Sequence, residues 1–148
     1  MKKQEITVKD ITWVKLFILA MVLIILDDHL YESLWTNKEP IINANIPWWS
    51  VVLVVILGIV VHELIHGLLF APFAQNGFKA IRFGFVGINP ACRCTDPLKA
   101  KHTIPGAIAP FLILGVLPLL FAYYTGVNWI HTFGLLFTLG AFGDLWYI

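Results

Sequence analysis

The chain has 148 residues, of which 59% are hydrophobic and 13% charged; the charged share is about half that of a soluble globular domain. With a mean hydropathy of +0.81, the expected solvent is lipid. A net charge of +1 offers no basic field for nucleic acid, and two cysteines make no disulfide framework.

The first predicted element is an apolar segment at 13–30. Its basic lead-in resembles a signal peptide, but Asp27, Asp28 and His29 stand where a small-residue cleavage site belongs. A retained membrane anchor is expected instead. Further apolar segments lie at 48–73, 104–124 and 128–148. A spanning helix needs roughly 20 apolar residues. The expected fold class is therefore an all-α membrane protein of about four transmembrane helices, forming a single domain over 1–148. Pro105, Pro110 and Pro118 recur in the third segment and predict a bent helix.

The connection at 74–103 is the longest and most polar. After an Asn76-Gly77 turn signal, Ile81, Phe83 and Phe85 alternate, which predicts a short strand or hairpin. A loop lying on the membrane surface is the alternative. With four crossings, nine of the ten basic residues fall on one side, and only Lys38 falls on the other. The excess of Lys and Arg marks the cytoplasmic face, so the N-terminus and the 74–103 connection are expected there. Trp13, Trp48, Trp49 and Trp129 sit near predicted helix ends, where an interfacial belt places them.

The second segment carries His62-Glu63-Leu64-Ile65-His66 inside an apolar run. On a helix, positions i and i+4 share a face, so both imidazoles can reach one ion. Zinc accepts nitrogen ligands and keeps a position for water at catalytic sites. The intervening glutamate is placed to act as general base. The plainer reading is a buried polar cluster that ties helices together. Intramembrane ionisable residues are, however, usually functional.

A third ligand is needed, and depth selects among candidates. At ~1.5 Å per residue, His62 lies about 21 Å and His66 about 27 Å from the outer end of the second segment. Asp144 lies about 24 Å along the fourth, which runs the same way. Gly140 and Gly143 beside it are expected to let helices approach closely. His29 and His131 fall near the outer side. Cys92, Cys94 and His102 can form a soft-metal site; two inert thiols and a surface histidine are the plainer reading.

The stretch from His62 to Phe70, the Phe83-Gly84-Phe85 triplet, the proline-bearing third segment and Gly143-Asp144 together resemble the zincin peptidase family of small bacterial membrane proteins. The likeness covers residues 48–148. More distantly the chain resembles site-2 proteases, though the Asn89-Pro90 pair lacks the aspartate usual in that context. The resemblance implies a bacterial inner-membrane zinc endopeptidase with His62, His66 and Asp144 as ligands and Glu63 as base. Its partners would be the bilayer and a peptide or membrane-protein substrate. Ile81, Phe83, Phe85 and Asn89 are the expected substrate-binding residues, holding an extended segment by strand pairing. Two rival classes remain at this stage: a non-catalytic metal-binding regulator and a metal-transporter subunit.

Overall fold

A computed structural model describes residues 2–41, 46–87 and 89–145 of the chain, with side chains from position 14. It divides into two compact units, Met1–Pro40 and Ile41–Ile148. The first unit is one long helix, α1 (Lys2–Trp35). It leaves Phe17, Leu19, Leu23 and Leu26 exposed. Its charge-free run is 11 residues, from Leu16 to Leu26, bounded by Lys15 and Asp27.

In the second unit, α2 (Trp48–Phe70) follows Pro47, whose fixed φ of −64° suits a helix entry. Two short 3₁₀ turns, Ala71–Phe73 and Gly77–Ala80, lead into the strand β1 (Ile81–Val86). Strand β2 (Asn89–Cys94) returns antiparallel, pairing Ile81 with Cys94 and Val86 with Asn89. The predicted hairpin is thus present between the second and third apolar segments. The third segment is α3 (Ala100–Pro110), a π-helical stretch over Phe111–Val116, and α4 (Leu117–Thr125). Gly126 at φ 77° terminates it in the left-handed region that glycine tolerates. Finally come α5 (Asn128–Gly140) and the single turn α6 (Phe142–Leu145).

Among the described residues, two helical stretches are long and apolar enough to cross a membrane: Trp48–Phe73 and Ala100–Thr125, each 26 residues. The outer two predicted segments also form helix but fall short of that measure. Every 18-residue window of α1 contains at least three charged residues. The expected span at 128–148 is interrupted: α5 has 13 residues, and the chain turns at Ala141 before α6 begins. Residues 146–148 of that prediction lie outside the described residues.

Prolines explain the third segment. Each removes an N–H from the helical ladder. A π-bulge after Pro110 re-pairs the backbone with longer-range bonds, as where Leu117 N donates to Leu112 O. The packing of this segment on α5 relies on small residues. A Cβ at Gly134 would come within 3.0 Å of the Gly115 carbonyl, and one at Gly115 within 2.6 Å of the Thr138 hydroxyl. Absent side chains let the two helices touch along their backbones.

Candidate metal centre

His62 and His66 lie one turn apart on the inner face of α2 and are among the few buried polar side chains, at 8% and 5% exposure. Asp144 reaches them from α6, 82 residues ahead of His62 in sequence. His62 Nε2 stands 2.8 Å from Asp144 Oδ2, His66 Nε2 stands 3.4 Å from the same oxygen, and the two Nε2 atoms are 3.3 Å apart. Among the described residues these three form a group whose donor atoms all lie within 4.8 Å of one another.

The donor set fits zinc. With ligand bonds of 2.0–2.1 Å, a tetrahedral site has donor-to-donor edges of about 3.3 Å. Two of the observed edges match, and the third is short by a few tenths of an ångström. Two imidazoles and one carboxylate leave a fourth corner open, the arrangement of a catalytic rather than a structural site.

His66 is oriented from behind. Its Nδ1–H donates to the main-chain oxygen of Gly106 at 2.9 Å, in a buried contact between α2 and α3. That places the lone pair on Nε2, facing His62 and Asp144. The helical partner of the Gly106 oxygen would be the N–H of residue 110, but residue 110 is proline and has none. The Phe70 ring stacks on the His66 imidazole at 5.8 Å. A Cβ on Gly106 would collide with that ring, so glycine is what lets α3 come this close.

The three residues open onto a cleft of about 700 Å³. Glu63 is half-buried on its wall beside the histidines. The opposite wall includes Asn89 to Arg93 of β2. The hairpin therefore meets the cleft mainly through β2, with β1 contributing Val86. Of the residues expected to bind substrate, only Asn89 lines the cleft. Ile81 is buried, and both it and Phe83 sit over Gly67 of α2, where an added Cβ would lie 2.8 Å from the Phe83 ring. Phe85 is 75% exposed. Ile81 and Phe83 seat the hairpin on α2, where apolar surface finds an apolar helix, while Phe85 faces outward.

Gly140 and Gly143 also differ from expectation. Both line the cleft, and among the described residues nothing beyond the local backbone lies within 4 Å of a Cβ built on either. They keep the approach to Asp144 open rather than closing a helix contact. Cys92, Cys94 and His102 form no metal cluster among the described residues. The thiols sit apart from His102, whose ring stacks on Phe73 at 4.0 Å. Burial, with the Glu63 carboxylate and Cys94 adding to it, pushes the Cys92 thiol up to about 11. His131, near the start of α5, is buried edge-on against Tyr123 at 5.9 Å.

A family model described as "Putative zincin peptidase" matches residues 55–148, nearly two thirds of the chain, and takes in every residue of this centre. The chain belongs to that family. No curated protein and no solved structure matches it. A zinc metallopeptidase is the activity that the family suggests, and the convergence of His62, His66 and Asp144 is the feature of the fold that agrees with it.

Proposed function

We propose that this zincin peptidase is a membrane-embedded, zinc-dependent endopeptidase acting on membrane or membrane-proximal peptide segments. The observation that carries the proposal is the convergence of His62, His66 and Asp144 within 4.8 Å, with Glu63 on the same cleft wall. Zinc held there supplies Lewis acidity toward a scissile carbonyl and acidifies water.

The chain's own residues do the rest. His62, His66 and Asp144 present their lone pairs to one point, and Gly106 fixes the tautomer of His66. The Glu63 carboxylate accepts a proton from the attacking water and returns it to the leaving nitrogen. The enzyme reading gives that carboxylate a task as proton acceptor, which a non-catalytic metal-binding regulator does not require. The free edge of β2 is suited to hold an unwound substrate. Thr95 N donates to Ala80 O next to the paired strands. The pairing alternates from there, so Pro90, Cys92 and Cys94 direct their main-chain groups away from β1. Pro90 needs no ladder partner at that position, and Cys92 offers both an N–H and a carbonyl to an extended segment.

The membrane arrangement proposed has four crossings, the N-terminus and hairpin being cytoplasmic in a bacterial inner membrane. The distribution of Lys and Arg supports it. The cleft then lies toward the cytoplasmic side, since His66 is seven residues, ~10 Å, from Phe73, and water enters there.

The deciding experiment is metal analysis of the purified chain, together with cleavage of a tagged transmembrane peptide reconstituted beside it. The expected result is one zinc per chain, cleavage by the natural chain and none by Glu63→Gln. Zinc-loaded protein in which Glu63→Gln cleaves at the natural rate would defeat the enzyme reading.

A further inference from the structure

Arg82 and Arg93 are direct partners across the hairpin. Counted from the Thr95–Ala80 bond, theirs is a hydrogen-bonded pair, with Cα atoms about 5.5 Å apart and both side chains on one face. Like charges directly opposite each other destabilise a sheet. Both residues are exposed, and among the described residues neither guanidinium has an ion pair or hydrogen bond. The 74–103 connection adds Lys79, Lys99 and Lys101 and contains one acid, Asp96. That carboxylate already accepts from the Asn76 main-chain and side-chain N–H groups at 2.8 and 3.2 Å.

The other face of β1 is aromatic. Phe83 and Phe85 are 55% and 75% exposed, and Phe78 just before the strand is 66% exposed. A basic face and an aromatic face on one short element is the division seen in elements that lie in a membrane interface. The chain enters this element from one stretch long enough to span a bilayer and leaves it into another.

We propose that the hairpin is an anionic-phospholipid site, in which Arg82 and Arg93 clasp one lipid phosphodiester while Phe78 and Phe85 enter the acyl boundary. The bound phosphate removes the repulsion between the guanidinium groups and gives each a charge-assisted partner. Because β2 forms one wall of the cleft, the same lipid holds that wall at headgroup level. The inference rests on the membrane reading given above.

The test uses the full chain purified in detergent, titrated with phosphatidylglycerol, phosphatidylcholine or inorganic phosphate, with bound lipid counted by native mass spectrometry. Phosphatidylglycerol is expected to bind at least tenfold tighter than phosphatidylcholine, and phosphate at equal concentration is expected not to displace it. Arg82→Glu turns the repelling pair into an attracting one, so the hairpin stays folded while the anion site is lost. With each guanidinium contributing about fivefold near an anionic surface, that variant should lose roughly 25-fold in phosphatidylglycerol affinity without a lower melting temperature. Equal binding of the two lipids, unchanged binding by Arg82→Glu, or full displacement by phosphate would each overturn the proposal; the last would mark a free-phosphate site. Release of the chain from membranes by alkaline carbonate would instead defeat the membrane reading, whatever the titration gave.

Discussion

The imidazole of His66 is anchored to the backbone of Gly106, and the carbonyl that anchors it is left without a helical donor by Pro110. A proline in a helix is ordinarily a cost of about 3 kcal/mol. Here it frees an acceptor beside the candidate metal centre. Pro110→Ala should restore the N–H, draw the Gly106 oxygen back into the helix and loosen the imidazole. Loss of such an outer partner costs 10- to 100-fold in metal affinity. The carbonyl has two lone pairs and can be shared, so the lower end, about tenfold, is expected. Zinc affinity by chelator competition and the tautomer of His66 by ¹⁵N NMR should move together. An unchanged tautomer in Pro110→Ala would sever the link.

Glu63 separates chemistry from binding. It lines the cleft and is absent from the group of converging donors. Glu63→Gln keeps its shape and removes its basicity. Zinc content should remain at the natural level, while turnover of a reconstituted peptide should fall by about 10² to 10⁴, the span of general acid–base catalysis. Measuring both quantities on one preparation makes the distinction. Loss of zinc in this variant would make Glu63 a ligand instead.

Asp144 is the only member of the candidate centre delivered from beyond α5, so a metal bound there would tie α6 to α2. Removing zinc should therefore destabilise the natural chain. A ligand present at a thousand times its dissociation constant stabilises by about 4 kcal/mol. The melting temperature should drop on chelation and recover on adding zinc back. Asp144→Asn retains the size and loses the charge, so its melting temperature should be low and indifferent to both treatments. A zinc response in Asp144→Asn equal to that of the natural chain would remove the residue from the ligand set.

The convergence of the three candidate metal residues was legible for two separate reasons. His62 and His66 follow from helical periodicity, which is a local property of five residues. Asp144 follows from a count of depth, which supposes that the second and fourth apolar segments run the same way. What periodicity could not supply is the hairpin's seating. Ile81 and Phe83 read as a binding face from their alternation, yet Gly67 gives them a helix surface to cover, and β2 lines most of the hairpin's side of the cleft. The Gly106 carbonyl was beyond reach for a different reason. Main-chain acceptors have no letter in a sequence, and the prolines that expose them read only as bends.

The Cys92 thiol reports on the cleft without any need for turnover. Burial holds it up at about 11, and the carboxylate of Glu63 and the neighbouring Cys94 add to the effect. An unfolded thiol titrates near 8.5. The folded state therefore binds the proton more tightly, so this group's contribution to stability is full below about pH 8.5 and is lost as pH rises toward 11. At neutral pH almost no thiolate is present, and the thiolate is the reactive form. In a Cys94→Ala background, alkylation by iodoacetamide should be slow at pH 7 and should accelerate about tenfold per pH unit up to about pH 10. Adding Glu63→Gln removes a negative charge from the cleft and should speed alkylation at pH 8. Since that step involves neither zinc nor substrate, it tests directly whether the α2 carboxylate and the β2 wall face each other. Identical alkylation profiles with and without Glu63 would separate them, and with them the assignment of β2 to the cleft.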